Sequence, residues 1–84
     1  MKEMRDTTEY FKHTRKRPDR KHIRMDWIEY VIQNPVKEVV QMDGRIKKWG
    51  WIEQEQKYLR VILLKDGNTL HNAFFDRGFT EGDE

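Results

Sequence analysis

Apolar and polar residues alternate with a period of two over most of residues 36–75, and only residues 23–34 carry a helical period. Ile23, Trp27 and Val31, with Ile28 and Ile32, fall at i, i+4 and i+8 spacings, which predicts one amphipathic helix with a single apolar stripe. Asn34-Pro35 stops it, and Asp26 or Asp19 is placed to cap its start. A helical turn or two is expected between Glu3 and Arg17, ending before Pro18. Four strands follow, at Val36–Met42, Arg45–Glu53, Tyr58–Lys65 and Thr69–Phe75. Asp43-Gly44 and Asp66-Gly67 supply tight turns, and Gln54 to Lys57 a polar loop. Tyr58 to Leu64 is the most apolar stretch and is expected in the middle of the sheet. The pattern predicts a single α+β domain, one or two N-terminal helices packed on a four-stranded antiparallel meander sheet. Residues 1–8 are expected to fray, and residues 80–84, TEGDE, to form a disordered acidic tail.

Alternation also sorts the strand residues by face. A turn at residues 54–57 pairs Glu53 with Tyr58 and sets Trp51 opposite Arg60. A two-residue Asp66-Gly67 turn sets Ile62 opposite His71 and Arg60 opposite Ala73. One face then carries Arg45, Lys47, Trp49, Trp51, Arg60, Ile62, His71, Phe75 and Arg77. The other carries Ile46, Gly50, Ile52, Leu59, Val61, Leu63, Leu70 and Phe74, and is the expected floor for the helix. With a plain Asp43-Gly44 turn, Val36 and Val40 land on the basic face. A bulge with Gly44 in the left-handed region returns them to the apolar one, and that bulge is the expected arrangement.

Eighty-four residues with 36% hydrophobic and 38% charged content leave a thin core. Three Trp, three Tyr and four Phe enlarge it, since each ring buries roughly 150–250 Å². A homodimer or a protein partner would be a natural source of further burial. With no Cys and no Ser, disulfides, thiolate metal sites and Ser or Cys nucleophiles are excluded. His13, His22 and His71 share no ligand spacing, so no metal or other cofactor is expected. No apolar run approaches the ~18 residues of a membrane span, and a cytoplasmic protein is expected. Net charge is +2, but residues 1–24 hold nine Lys or Arg against four acids, and the remainder eight against eleven. The densest part, Lys12 to Arg24, holds seven cations and one Asp, and suits phosphate or an acidic protein.

These residues leave metal-free phosphodiester chemistry, nucleic-acid binding and protein interaction as candidate classes. Arg45, Arg60, His71 and Arg77 are the candidate catalytic set: a His trades protons near neutral pH, and Arg stabilises charge on a phosphorane. Arg17, Arg20, Lys21, His22, Lys47, Trp49 and Trp51 are candidate RNA-binding residues, cations for phosphates and rings for bases. The plainer alternatives are that Arg60 and Arg77 pair with Glu53, Asp66 or Asp76, that His71 is a packing histidine, and that Trp27 is core. HTRKRPDRKHI, DGRIKKWGWI and KYLRVILLKDGNTLHNAFFDR resemble a family of small uncharacterised bacterial proteins common in cyanobacteria. The layout is similar to RelE- and BrnT-like toxins, through Lys21-His22 before the helix, Arg45, Arg60, and Arg77 closing the last strand. That resemblance implies metal-free RNA cleavage, by attack of a 2′-hydroxyl on its own phosphate, and an acidic antitoxin-like partner. It also implies a C-terminal helix that this sequence does not continue into. The competing expectation is a non-catalytic interaction module, dimeric or partner-bound, with Trp49, Trp51 and Phe75 as its contact.

Overall fold

The structure is a computed structural model and describes residues 5–80. Its elements run α1 (Glu9–Thr14), α2 (Met25–Gln33), β1 (Lys37–Val40), β2 (Ile46–Ile52), β3 (Lys57–Leu63) and β4 (Leu70–Phe75). The strands form one antiparallel meander in the order β1-β2-β3-β4, so the expected α+β class and strand order are both found.

Thr8 caps α1 by accepting Phe11 N–H at 3.1 Å. That helix is one short segment, and residues 15–22 continue as tight turns along the β4 edge, linked by Arg20 N–H to Arg17 C=O and Ile23 N–H to Arg20 C=O. At α2, neither expected aspartate caps the start. Arg24 is the N-cap residue without a side-chain bond, and Asp26 pairs with Arg24 at 2.9 Å. The C-terminal stop holds: Asn34 ends the helix and its side-chain amide donates to Tyr30 C=O. α2 crosses the middle of the sheet, where Ile28, Val31 and Ile32 bury against Ile52, Leu59, Val61 and Leu63. Val31 sits over Gly50, and Trp27 packs edge-on against Phe75, as core packing requires. Lys48, on the same side, donates its ammonium to Ile32 C=O at 3.0 Å, so a cation satisfies an orphan carbonyl at the helix end.

Residues 5–8, expected to fray, are tied down. Arg5 forks onto Glu29 at 2.6 and 2.8 Å and reaches Asn68, while Thr7 bridges Leu70. Residues 1–4 and 81–84 of the expected ends lie outside the described residues.

Two registers depart from expectation. The β2–β3 turn spans residues 53–56, with Gln56 at φ 55°, so Arg60 faces Trp49 and Trp51 faces Tyr58. A shift of two residues preserves the faces. Between β3 and β4 the expected register holds only at Leu63–Leu70. A bulge at His71 then moves the pairing by one, setting Ile62 against Asn72, Val61 against Ala73 and Arg60 against Phe74. Phe74 and Phe75 therefore exchange their expected faces. Phe75 joins the helix side, and Phe74 lies beside Arg60. The expected left-handed Gly44 is present at φ 92°, with Val40 opposite Ile46. Val36 and Val40 nonetheless stay exposed, because α2 packs mainly on β2 and β3.

Candidate nucleic-acid interface

Among the described residues, the sheet face away from α2 has no second layer of secondary structure over it, and side chains cover it instead. Lys47 Nζ lies 5.7 Å from the Trp49 ring, the Arg60 guanidinium 5.4 Å from Trp49 and 5.1 Å from Phe74, and the Arg20 guanidinium 5.0 Å from Phe74. Cation and ring thus alternate across β2, β3 and β4 to the linker. Phe79 returns after β4 and stacks on Trp49 at 4.9 Å, with Tyr58 edge-on to it at 5.0 Å. Asp76 ties the cover together. One oxygen accepts Trp49 Nε1–H at 2.9 Å, the other accepts Gly78 N–H at 3.1 Å. Arg60 Nε lies 3.2 Å from the first oxygen but makes no aligned hydrogen bond to it, so that contact is Coulombic.

The consequence for the candidate residues is direct. Trp49 is 6% exposed and offers no face to a base. Arg60 pairs with Asp76, one of the plainer alternatives for that residue. Trp51 remains accessible, its indole N–H bonded to Glu53. Lys47 is partly covered over Trp49.

Nor do the four candidate catalytic residues meet. His71 sits at the start of β4, in the bulge. Its Nδ1 is 3.0 Å from Thr8 Oγ1 and its ring stacks on Tyr10 at 4.9 Å. Burial, and then the charge of Arg45, push its pKa below the ordinary 6.5, favouring the neutral form of the ring. Arg45 stands at the β1–β2 hairpin, 3.7 Å from Asp43. Arg77 lies in the turn after β4, beyond the opposite end of that strand from His71, with the length of β4 between them. No single phosphate reaches both.

What the fold does bring together lies at that far end. Arg20, His22, Lys57, Phe74, Phe75 and Arg77, with Asp19, line an open cleft of about 370 Å³. It continues around Lys57, Phe75 and Arg77 into a groove walled by Trp51, Tyr58 and Phe79. His22 stacks on Phe75 at 5.9 Å, and Lys57 Nζ lies 5.6 Å from the same ring. Arg20 is the fixed wall, donating to Asn72 at 2.9 Å. Lys57 and Arg77 form no ion pair with an acid among the described residues and stay exposed. Arg17, 3.5 Å from Asp19, and Lys21 flank the cleft's linker, both exposed.

Lys57, Phe74 and Phe79 were missed from sequence. Lys57 reads as loop in a polar run, Phe74 is hidden by the unsignalled bulge, and Phe79 lies beyond the last strand. Among the described residues no group of His, Asp or Glu is clustered to hold a metal, and no helix is long and apolar enough to cross a membrane. No protein-family profile, curated protein or solved structure matches the chain.

Proposed function

We propose that the protein binds single-stranded RNA in the cleft between the α1–α2 linker and the end of β4. One observation carries this reading: Arg20, His22, Lys57 and Arg77 converge, from three separate segments, over the rings of Phe74 and Phe75. Lys57 and Arg77 take backbone phosphates, while exposed Trp51 and the edge of Phe75 offer surfaces on which bases stack. In the cleaving form of this reading, that of the RelE- and BrnT-like toxins the sequence resembles, His22 takes the proton of the 2′-hydroxyl. Arg77 and Lys57 then stabilise the phosphorane, and the leaving 5′-oxygen takes a proton from the resulting imidazolium. His22 replaces His71 in that role because it shares the cleft with Arg77.

Fluorescence anisotropy with a labelled oligoribonucleotide tests the binding. Lys57→Ala with Arg77→Ala is expected to weaken it more than tenfold without lowering Tm, since both side chains are exposed. Two phosphate-holding cations give a slope of log K on log salt of about −1.4. Wild-type protein that retains no RNA at low salt overturns the proposal. Intact RNA after incubation with wild type removes only the cleaving form.

A further inference from the structure

The chain treats the two edges of its sheet differently. The β4 edge is covered: Thr7 bridges Leu70 in parallel, Thr8 N–H donates to Leu70 C=O at 3.0 Å, and Leu70 N–H donates to Asp6 C=O at 2.9 Å. β1, at the other edge, pairs only with β2 among the described residues. Gln41 N–H donates to Arg45 C=O, inside the hairpin ladder. By alternation, Lys37 and Val39 turn their main-chain groups toward β2, while Glu38 and Val40 present theirs to the open side. Apolar side chains lie at and beside this edge. Val40, in β1, is 63% exposed, Val36, just before it, is 44% exposed with its N–H bonded to Trp49 C=O, and Met42, in the hairpin turn, is fully exposed. An open strand edge with apolar neighbours is a template for another strand.

We propose that two copies of this chain pair antiparallel along β1, about a two-fold axis at Val39, to make one continuous eight-stranded sheet. The occupant is a second copy because the strand is complementary to itself. A two-fold axis perpendicular to the sheet keeps each face on its own side, so even positions oppose even and odd oppose odd. Centring on Glu38 opposes two like charges, which is destabilising. Centring on Val40 sets Glu38 against Met42 and leaves Val36 without an apolar partner. Centring on Val39 sets Val39 against Val39 of the second copy, Glu38 against Val40, and Val36 alongside Met42, with no like charges opposed. Within each copy Lys48 already neutralises Glu38, at 3.7 Å. A pairing along a four-residue strand falls below the roughly 1,200–2,000 Å² of stable specific interfaces. The dimer is therefore concentration-dependent. It lies on the opposite edge from the linker that walls the cleft, and it stands whether or not the cleft binds RNA.

Sedimentation equilibrium on the full chain, from micromolar to millimolar, tests it. The mass is expected to rise from 10.4 kDa toward twice that value. Val39→Lys and Val39→Glu each hold the protein monomeric, and an equimolar mixture of the two recovers the dimer, which a folding defect would not allow. Val39 opposes its copy as a non-hydrogen-bonded pair, about 4.5 Å between Cα atoms, within the span of a disulfide. The chain has no cysteine, so oxidised Val39→Cys is expected to give one covalent dimer. A wild type monomeric throughout, a dimer undiminished by Val39→Lys, or Val39→Cys that fails to cross-link on oxidation each overturns the proposal.

Discussion

Gly50→Ala tests whether α2 lies where the packing places it. Gly50 pairs with Leu59 in the centre of the sheet, directly beneath the helix. A Cβ there would stand 2.8 Å from Val31 Cγ2 and 3.3 Å from Val31 Cβ and Cγ1. The backbone at Gly50 is not left-handed, so on local grounds alanine should gain about 0.5–1 kcal/mol from reduced chain entropy. Val31 is fully buried, and its branching at Cβ leaves it one strongly preferred rotamer in a helix. Overpacking of this kind costs about 1–3 kcal/mol. The net expectation is a loss of about 1–2 kcal/mol, or roughly 5–15 °C in Tm for a domain this small. Urea and thermal unfolding followed by circular dichroism give the number. Val31→Ala alone costs about 2 kcal/mol through the cavity it leaves. The double variant refills that cavity and should lose about 1 kcal/mol less than the two single losses combined. A neutral or stabilising Gly50→Ala, or strictly additive losses, would show that the helix does not bear on β2 at this point.

Two further outcomes follow from the polar contacts. Asp76→Ala strands the Trp49 indole N–H and the Arg60 charge under the sheet cover. The expected loss is about 2 kcal/mol in urea unfolding, with a red shift of tryptophan emission; an unshifted spectrum would mean that Trp49 is not held by Asp76. Asp66 accepts from the Thr69 hydroxyl and from the N–H groups of Thr69 and Asn68, which hold its pKa down to about 2 from 3.8. Its folded pKa is depressed, so its contribution to stability is full above about pH 4 and is lost as pH falls through about 2. A carboxyl carbon titration by NMR with a midpoint near 3.8 would refute that turn geometry.

The fold was legible because period and punctuation agree. The 23–34 stripe, Asn34-Pro35 and the two Asp-Gly pairs locate the helix and both tight turns, and Gly44 had to be left-handed for Val40 to face the helix side. What the sequence concealed about the faces was a single extra residue in β4, since the β2–β3 register shift of two left them unchanged. Leu70, His71 and Asn72 carry no turn signal, yet the bulge at His71 sends Phe75 under Trp27 and Phe74 out beside Arg60. The site suffered the same way. Arg60 and Trp49 do share a face, as expected, but alternation says nothing about a chain that returns over that face with Asp76 and Phe79. Arg20 and His22 were legible as candidates from charge alone. Their meeting with Arg77 and Lys57 depends on how the linker wraps the β4 edge, which no local pattern encodes.

A basic, aromatic sheet face is therefore weak evidence for nucleic acid in a two-layer domain. With one helix layer on one side, the other side must still shield its rings and apolar side chains from water, and the long stems of Lys and Arg do so while their charged ends reach solvent. Lys47, Arg60 and Arg20 serve Trp49 and Phe74 in this way, and Asp76 neutralises Arg60. A cation held like this is already engaged, and drawing it toward a phosphate would uncover the ring beneath. Arg77 differs in kind, and Lys57, although its Nζ also lies over the Phe75 ring, differs in being exposed. Neither meets a carboxylate among the described residues, both stand exposed at the mouth of one cleft, and the acidic side chain lining that cleft beside them, Asp19, already faces Arg17. For this protein, the separation between cations that cover and cations that are left over, and not the number of them, is what points to the end of β4 as the place where a phosphate would bind.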